Sequence, residues 1–221
     1  MIDPLRARVA GVVAAALLVA AAAASEVPPS AAATAACPPA SPTALAQRAE
    51  TAKVRVPASA LVVCVGAVPI DGATFDHWAF VAERAAGRRG LPRRALVAEV
   101  LGFLISSDWT IGEAAGLGVT VTKAEVRRRF DSIRRQQFPK HGEFSHFLRQ
   151  SGQTVADLLF RVRLHMISEA LQRQIVSGKS TEAEREQALT EFISTFKARW
   201  KVQTYCATGF DVADCGHVGS L

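Results

Sequence analysis

The stretch LVVCVGAVPIDGATF, residues 61–75, decides the fold that we expect for this chain. Its first five residues are apolar and mostly β-branched, and they stand between Pro57 and Gly66, which predicts a short buried strand. Asp71 is a suitable N-cap for the helix that follows. The next residues predict that helix because they repeat apolar side chains at helical spacing: Phe75, Trp78, Ala79 and Ala82. A strand that leads directly into an amphipathic helix therefore opens the folded part of the chain.

Downstream of this opening, the apolar periodicity is helical. Residues 91–116 predict one long helix that is entered through Pro92. Three further helices are predicted by threonines that precede an acidic residue by three positions: Thr122 with Glu125, Thr154 with Asp157, and Thr181 with Glu184. Residues 143–149 predict a short helix, and residues 205–215 a strand or hairpin. The predicted fold class is therefore mainly α, with one early and one late strand.

The two predicted strands stand at opposite ends of this helical region. Each has backbone N–H and C=O groups that need partners, and pairing the strands with each other is the simplest way to supply them. We therefore expect residues 61–65 to pair with the stretch around residues 210–212. This small two-stranded pairing of N- and C-terminal segments would close the helical domain.

The 221 residues suffice for one domain plus a tail, and the N-terminus supplies the tail. Residues 1–24 contain Arg6 and Arg8 and then an apolar run that is shorter than the ~20 residues of a typical membrane span, which indicates a secretory signal or an uncleaved anchor. Residues 25–55 are rich in Ala, Pro and Ser and are interpreted as a linker. Residues 56–221 form the predicted domain. The expected location is extracytoplasmic, in the cell envelope or secreted, and the N-terminal segment offers a membrane attachment.

The chain has four cysteines, and export makes disulfides permissible. Gly209 can supply a turn between Cys206 and Cys215, so a Cys206–Cys215 bridge is predicted. A metal site is disfavoured because no second ligand cluster accompanies this pair. Cys64 is interpreted as a small buried residue of the first strand, and it is also the rival partner for the late cysteines. Cys37 ends the string Thr34-Ala-Ala-Cys37, which resembles a bacterial lipobox and implies a lipid anchor; the alternative is an unpaired thiol in a flexible tail.

No motif for catalysis or for a cofactor is present in the sequence. The five histidines are scattered, and HExxH, GxSxG, GxxxxGK[ST] and GxGxxG patterns are absent. We therefore assign no catalytic residues, no metal and no cofactor, and an enzyme is disfavoured.

The basic charge is concentrated in residues 84–149, with 13 Lys or Arg against six Asp or Glu. This segment is either a surface for acidic clients or anionic polymers, or the solvated side of amphipathic helices. Export argues against nucleic acid as the partner.

Four segments in order resemble the SurA and PrsA family of exported chaperones and foldases. They are VGAVPID at residues 65–71, EAAGLGVTVTKAEV at 113–126, FSHFLRQSGQTVADLL at 144–159 and WKVQTYCATGFDVADC at 200–215. The last is similar to the ending of exported actinobacterial members. The resemblance implies a SurA N-terminal-like helical domain. Relatives usually insert a parvulin isomerase domain after the helix that ends near Val176, whereas here only residues 177–184 separate that helix from the last one.

The resemblance implies a chaperone that holds unfolded or nascent exported polypeptides in an apolar groove between helices. The client-binding residues expected on this basis are Trp78, Phe103, Trp109, Phe130, Phe144, Phe147 and Phe160. The sequence leaves two alternatives open. One is a member of the peptidyl-prolyl isomerase family with residual or lost activity. The other is a structural protein that binds anionic envelope polymers through its basic helix.

Overall fold

The computed structural model describes residues 57–87 and 90–221. The predicted signal or anchor, the linker and the proposed lipid site Cys37 lie outside the described residues. Within them, six helices accompany a four-stranded sheet, so the mainly α fold class is confirmed. The strands are β1 (Leu61–Val65), β2 (Val68–Asp71), β3 (Thr204–Ala207) and β4 (His217–Gly219). The helices are α1 (Gly72–Ala86), α2 (Arg93–Gly116), α3 (Lys123–Gln137), α4 (Glu143–Ser151), α5 (Val155–Ile175) and α6 (Glu182–Lys201).

The sheet joins the two ends of the domain, as predicted, but with a different partner strand. Its order is β2-β1-β3-β4, and β1 is antiparallel to both of its neighbours. Val63 of β1 lies opposite Cys206 of β3, so the predicted pairing with residues 210–212 is wrong. The physical reason is that Phe210 follows a turn and places its ring edge-on against Phe75, with 5.2 Å between the ring centroids. Its apolar side chain is used in the core.

The Cys206–Cys215 disulfide is confirmed, with Cα atoms 5.9 Å apart. The hairpin expected to hold it is absent from the described sheet, because β4 runs parallel to β3. The chain turns back between them, and the Cys215 N–H donates to the Val212 carbonyl at 3.0 Å.

The interpretation of Cys64 is only partly right. It is fully buried, as predicted, but it is itself disulfide-bonded, and the Cys206–Cys215 bridge excludes both late cysteines as its partner.

The helix starts are the most accurately predicted features of the chain. The side chain of Asp71 accepts a hydrogen bond from the Thr74 N–H at 2.8 Å and caps α1. All three threonine–acid pairs form capping boxes, in which each partner's side chain bonds the other's backbone N–H. These bonds are local, so short sequence patterns suffice to predict them.

The main core lies between the sheet, α1 and α2. Val62 and Val63 from β1 meet Leu101 and Ile105 from α2, and all four side chains are fully buried. Among the described residues, α2 alone is long and apolar enough to cross a membrane by length and composition. A core helix passes the same test, and the packing of α2 against the sheet and α1 accounts for its apolar character.

Candidate functional site

The aromatic residues expected to bind clients lie in three separate places. Trp78, Phe103 and Phe160 meet where α1, α2 and α5 pack together. The phenylalanines of α3 and α4 meet at the corner between those helices. Trp109 lies apart from both groups, beside the C-terminal strand β3. A single groove lined by all seven residues is therefore not the arrangement in this structure.

The first group, here called the Trp78 cluster, consists of Trp78, Phe103 and Phe160. The Trp78 and Phe103 ring centroids are 4.6 Å apart, and Phe160 lies 6.2 Å from each. The guanidinium of Arg161 covers the cluster, with its Cζ atom 4.9 Å from the Trp78 ring and 4.7 Å from Phe103. Trp78 is only 7% exposed and lies in the core, and its role in client binding stays a prediction.

Arg161 is the most unusual polar group near this cluster. Its Nε atom is buried and has no hydrogen-bond partner among the described residues. Burial lowers the pKa of the guanidinium, whereas the nearby carboxylates Asp157 and Glu99 raise it. The aromatic rings thus replace part of the hydrogen bonding that water would supply to this cation.

His77 and Asp157 form a pair that no sequence pattern indicated, because 80 residues separate them. His77 Nε2 lies 2.9 Å from Asp157 Oδ1, while the other carboxylate oxygen accepts the Thr154 N–H at 2.7 Å. Burial alone would raise the pKa of Asp157. The hydrogen bonds from Thr154 and His77 outweigh it, so the pKa is lowered. This pair joins α1 to the start of α5.

The second group, here called the Phe144 cluster, consists of Phe130, Phe138, Phe144 and Phe147. Ring centroids are 6.0 Å apart for Phe130 and Phe144, 5.4 Å for Phe138 and Phe144, and 5.2 Å for Phe138 and Phe147. Phe130 is 4% exposed and forms the buried base of the cluster, and its role in client binding stays a prediction. The other three rings remain half-buried. Phe138 is not among the client-binding residues predicted from the sequence. The sequence signal for it is its position at the end of an apolar stripe, just before Pro139.

The helix that contributes half of this cluster, α4, buries none of its residues. Yet it carries Phe144, Phe147 and Leu148 along one side, all of them half-buried. An amphipathic helix usually derives its stability from burying such a stripe. The apolar side of α4 is therefore only partly covered by the described residues.

A cationic side chain lies against the Phe144 cluster, and the helix that carries it has further exposed arginines. The Cζ atom of Arg134 lies 5.9 Å from the centroid of the Phe144 ring. The exposed arginines of α3 are Arg127, Arg128, Arg129, Arg134 and Arg135. An apolar patch beside a basic helix can attract acidic segments of a partner by charge and then hold its apolar side chains.

Trp109 serves the attachment of the C-terminal segment. It is 2% exposed, and its indole N–H donates to Oγ1 of Thr204 at 2.8 Å. The Thr204 hydroxyl in turn donates to the Trp200 carbonyl at 2.9 Å. Trp109 is therefore a core residue whose polar atom and ring both make contacts inside the fold, and its role in client binding stays a prediction.

Among residues 57–87 and 90–221, no group of three or more His, Cys, Asp or Glu side chains is placed to hold a metal ion. Asp108 is the most perturbed carboxyl group, since burial raises its pKa to about 6. It lies on α2.

Comparison with known proteins gives no assignment. No protein-family model matches the chain, and no curated protein or solved structure is similar to it at a significant level.

Proposed function

We propose that this protein is an extracytoplasmic, chaperone-like protein that binds unfolded polypeptides at the Phe144 cluster. The observation that carries the proposal is α4, an amphipathic helix with two phenylalanines and no buried residue. Half-buried aromatic side chains on a helix provide large apolar contacts at low conformational cost, which suits reversible binding of many sequences. The sequence resemblance to exported chaperones and the N-terminal signal pattern support the same assignment.

The binding surface in this proposal is smaller than the groove expected from the sequence. Its contact residues are Phe138, Phe144 and Phe147, with Phe130 as the buried support. Phe103 and Phe160 are half-buried, Arg161 lies over the Phe103 ring, and both phenylalanines belong to the Trp78 cluster. The exposed arginines of α3 favour clients that alternate apolar and acidic residues. Binding is noncovalent and requires no cofactor.

The test is suppression of aggregation by the full chain. Guanidine-denatured rhodanese is diluted into buffer, and light scattering is followed with the protein in molar excess. We expect the wild type to lower the scattering, and Phe147→Gln to weaken client binding about tenfold, because it removes one large apolar contact. The matched control is Val68→Gln, which changes a half-exposed apolar residue of β2. Circular dichroism melting establishes that both variants fold. No suppression by the wild type, or equal loss in both variants, would overturn the proposal.

A second candidate function rests on the exposed arginines of α3, which could hold an anionic envelope polymer. The discriminating variant is the triple substitution Arg127→Gln, Arg128→Gln and Arg129→Gln. Salt-sensitive binding of heparin, used as a polyanion probe, that disappears in this variant would favour the polymer. It would replace the chaperone proposal only if the wild type also left rhodanese aggregation unchanged.

Isomerase activity is disfavoured by the short connection between α5 and α6. In the structure α5 ends at Ile175 and α6 begins at Glu182, so the connection has no room for a separate isomerase domain. A proline-isomerisation assay at stoichiometric protein is expected to show no catalysis.

A further inference from the structure

We propose that Cys64 forms a disulfide bond with Cys37, which would link the segment before the domain covalently to β1, an interior strand of the sheet. Cys64 is a disulfide-bonded cysteine of β1. The bridge between Cys206 and Cys215 uses two of the chain's four cysteines. Cys37 is the remaining cysteine of the chain. The inference is independent of the proposed function.

The position of Cys64 in the sheet supplies a second argument. Its cross-strand neighbours are Tyr205 in β3 and Pro69 in β2. Side chains alternate between the two faces of a strand, so these three lie on one face, while Val63 and Val65 point to the other. Tyr205 is 45% exposed and Pro69 is exposed, yet Cys64 is 0% exposed.

A buried residue between two exposed cross-strand neighbours needs a cover from outside the sheet. The helices pack against the opposite face, where Val63 and Val65 belong to the main core, whereas Cys64 does not. A disulfide partner would bring chain over this outer face at that point. Side-chain alternation therefore indicates that Cys64 is covered, and the count of cysteines identifies Cys37 as its partner.

The bond can form by ordinary thiol–disulfide exchange. A disulfide carrier of an oxidising compartment forms a mixed disulfide with one thiolate, here that of Cys37, and releases one carrier thiol. The Cys64 thiolate then attacks the Cys37 sulfur, the Cys37–carrier bond breaks, and the second carrier thiol leaves. The two cysteines lose two protons and two electrons, and the carrier disulfide is reduced to two thiols.

One consequence concerns the lipobox-like string that ends at Cys37. A sulfur atom in a disulfide cannot also carry a thioether-linked lipid. The proposal therefore excludes a lipid anchor at Cys37 and leaves any membrane attachment to the apolar run of residues 9–24.

Peptide mapping of the full chain tests the proposal. Protein produced by export is denatured, treated with iodoacetamide, and digested with trypsin without reduction. Cleavage after Arg55 and Arg84 isolates Cys64 in residues 56–84, and cleavage after Arg48 ends the Cys37 peptide. Residues 202–221 contain both Cys206 and Cys215. We expect the 56–84 peptide to be linked to the peptide that ends at Arg48, and reduction to separate them completely.

Three results would overturn the proposal: an alkylated Cys64, a Cys64 peptide linked to residues 202–221 or to a second copy of itself, or a lipid on Cys37. Two variants provide matched controls. Cys37→Ser should make Cys64 fully reactive with iodoacetamide after denaturation. The double variant Cys206→Ser with Cys215→Ser should retain the Cys37–Cys64 link. If this double variant does not fold, the wild-type map decides alone.

Discussion

Trp200 donates a hydrogen bond from its indole N–H to Oε2 of Glu113, 2.8 Å away and 87 residues earlier in the chain. The other oxygen of the same buried carboxylate accepts a bond from Arg199 at 2.5 Å. These two bonds hold the last turn of α6 against α2, beside the packing of the Trp200 ring. They also position the start of β3, the central partner strand of β1.

The first prediction separates the hydrogen bond of Trp200 from its packing. Trp200→Phe keeps most of the ring and removes the donor, so the free energy of unfolding should fall by about 1–3 kcal/mol. Trp200→Ala should cost about 3 kcal/mol or more, because the ring contact is lost as well. Urea unfolding measures both. Tyr205→Phe, on an exposed side chain, is the control. Wild-type stability in Trp200→Phe would show that the bond contributes nothing.

The second prediction concerns the contact between the Trp200 ring and the backbone of α2. A Cβ atom at Gly112 would meet the ring, so Gly112→Ala must displace Trp200. We expect a loss of about 2–4 kcal/mol, despite the higher helix propensity of alanine. The control on the same helix is Gly102→Ala, whose Cβ would lie 4.0 Å from the nearest atom, Oδ2 of Asp214. It should be neutral or stabilising by up to about 1 kcal/mol. Equal effects of the two variants would contradict the close approach.

The third prediction is a pH dependence from Asp108. Burial raises its folded-state pKa to about 6, above the ordinary value of about 4, so the folded state binds the proton more tightly than the unfolded state does. The free energy of unfolding should therefore decrease as the pH rises from about 4 to about 6, and level off above that range.

Asp108→Asn should remove this dependence and raise stability at pH 7. The gain should be about 1–2 kcal/mol, less than the full shift implies, because the side chain is partly exposed to solvent screening. Asp211→Asn, which makes the same charge change at an exposed position, is the control. Unfolding curves at pH 4, 6 and 8 measure the effect. An Asp108→Asn variant with wild-type pH dependence would refute the assignment.

The fourth prediction concerns the C-terminal segment. Removing residues 204–221 takes away β3 and the ring of Phe210, and leaves one edge of β1 without backbone partners. Cooperative unfolding of the whole domain should be lost. Phe210→Ala is the milder variant and should cost about 3–5 kcal/mol, because the ring is buried against Phe75. Calorimetry distinguishes these outcomes. A truncated chain that melts like the wild type would show that the helices are stable without the sheet.

The sequence by itself determined the local features of this protein. Asp71 and the three threonine–acid pairs predicted helix starts, because a cap depends on groups three residues apart. The helical stripes and the first strand followed from periodicity. The Cys206–Cys215 bridge also followed, since a turn of few residues brings both cysteines together.

Only the tertiary structure decided which distant segments meet. In the fold, residues 204–207 pair with β1, Trp109 lies in the core, and His77 lies next to Asp157. The physical reason is that an apolar stripe has the same sequence pattern whether it packs in the core or lies half-covered at the surface. Its burial depends on contacts with chain that is 80 or more residues away, as the Trp200–Glu113 bond illustrates.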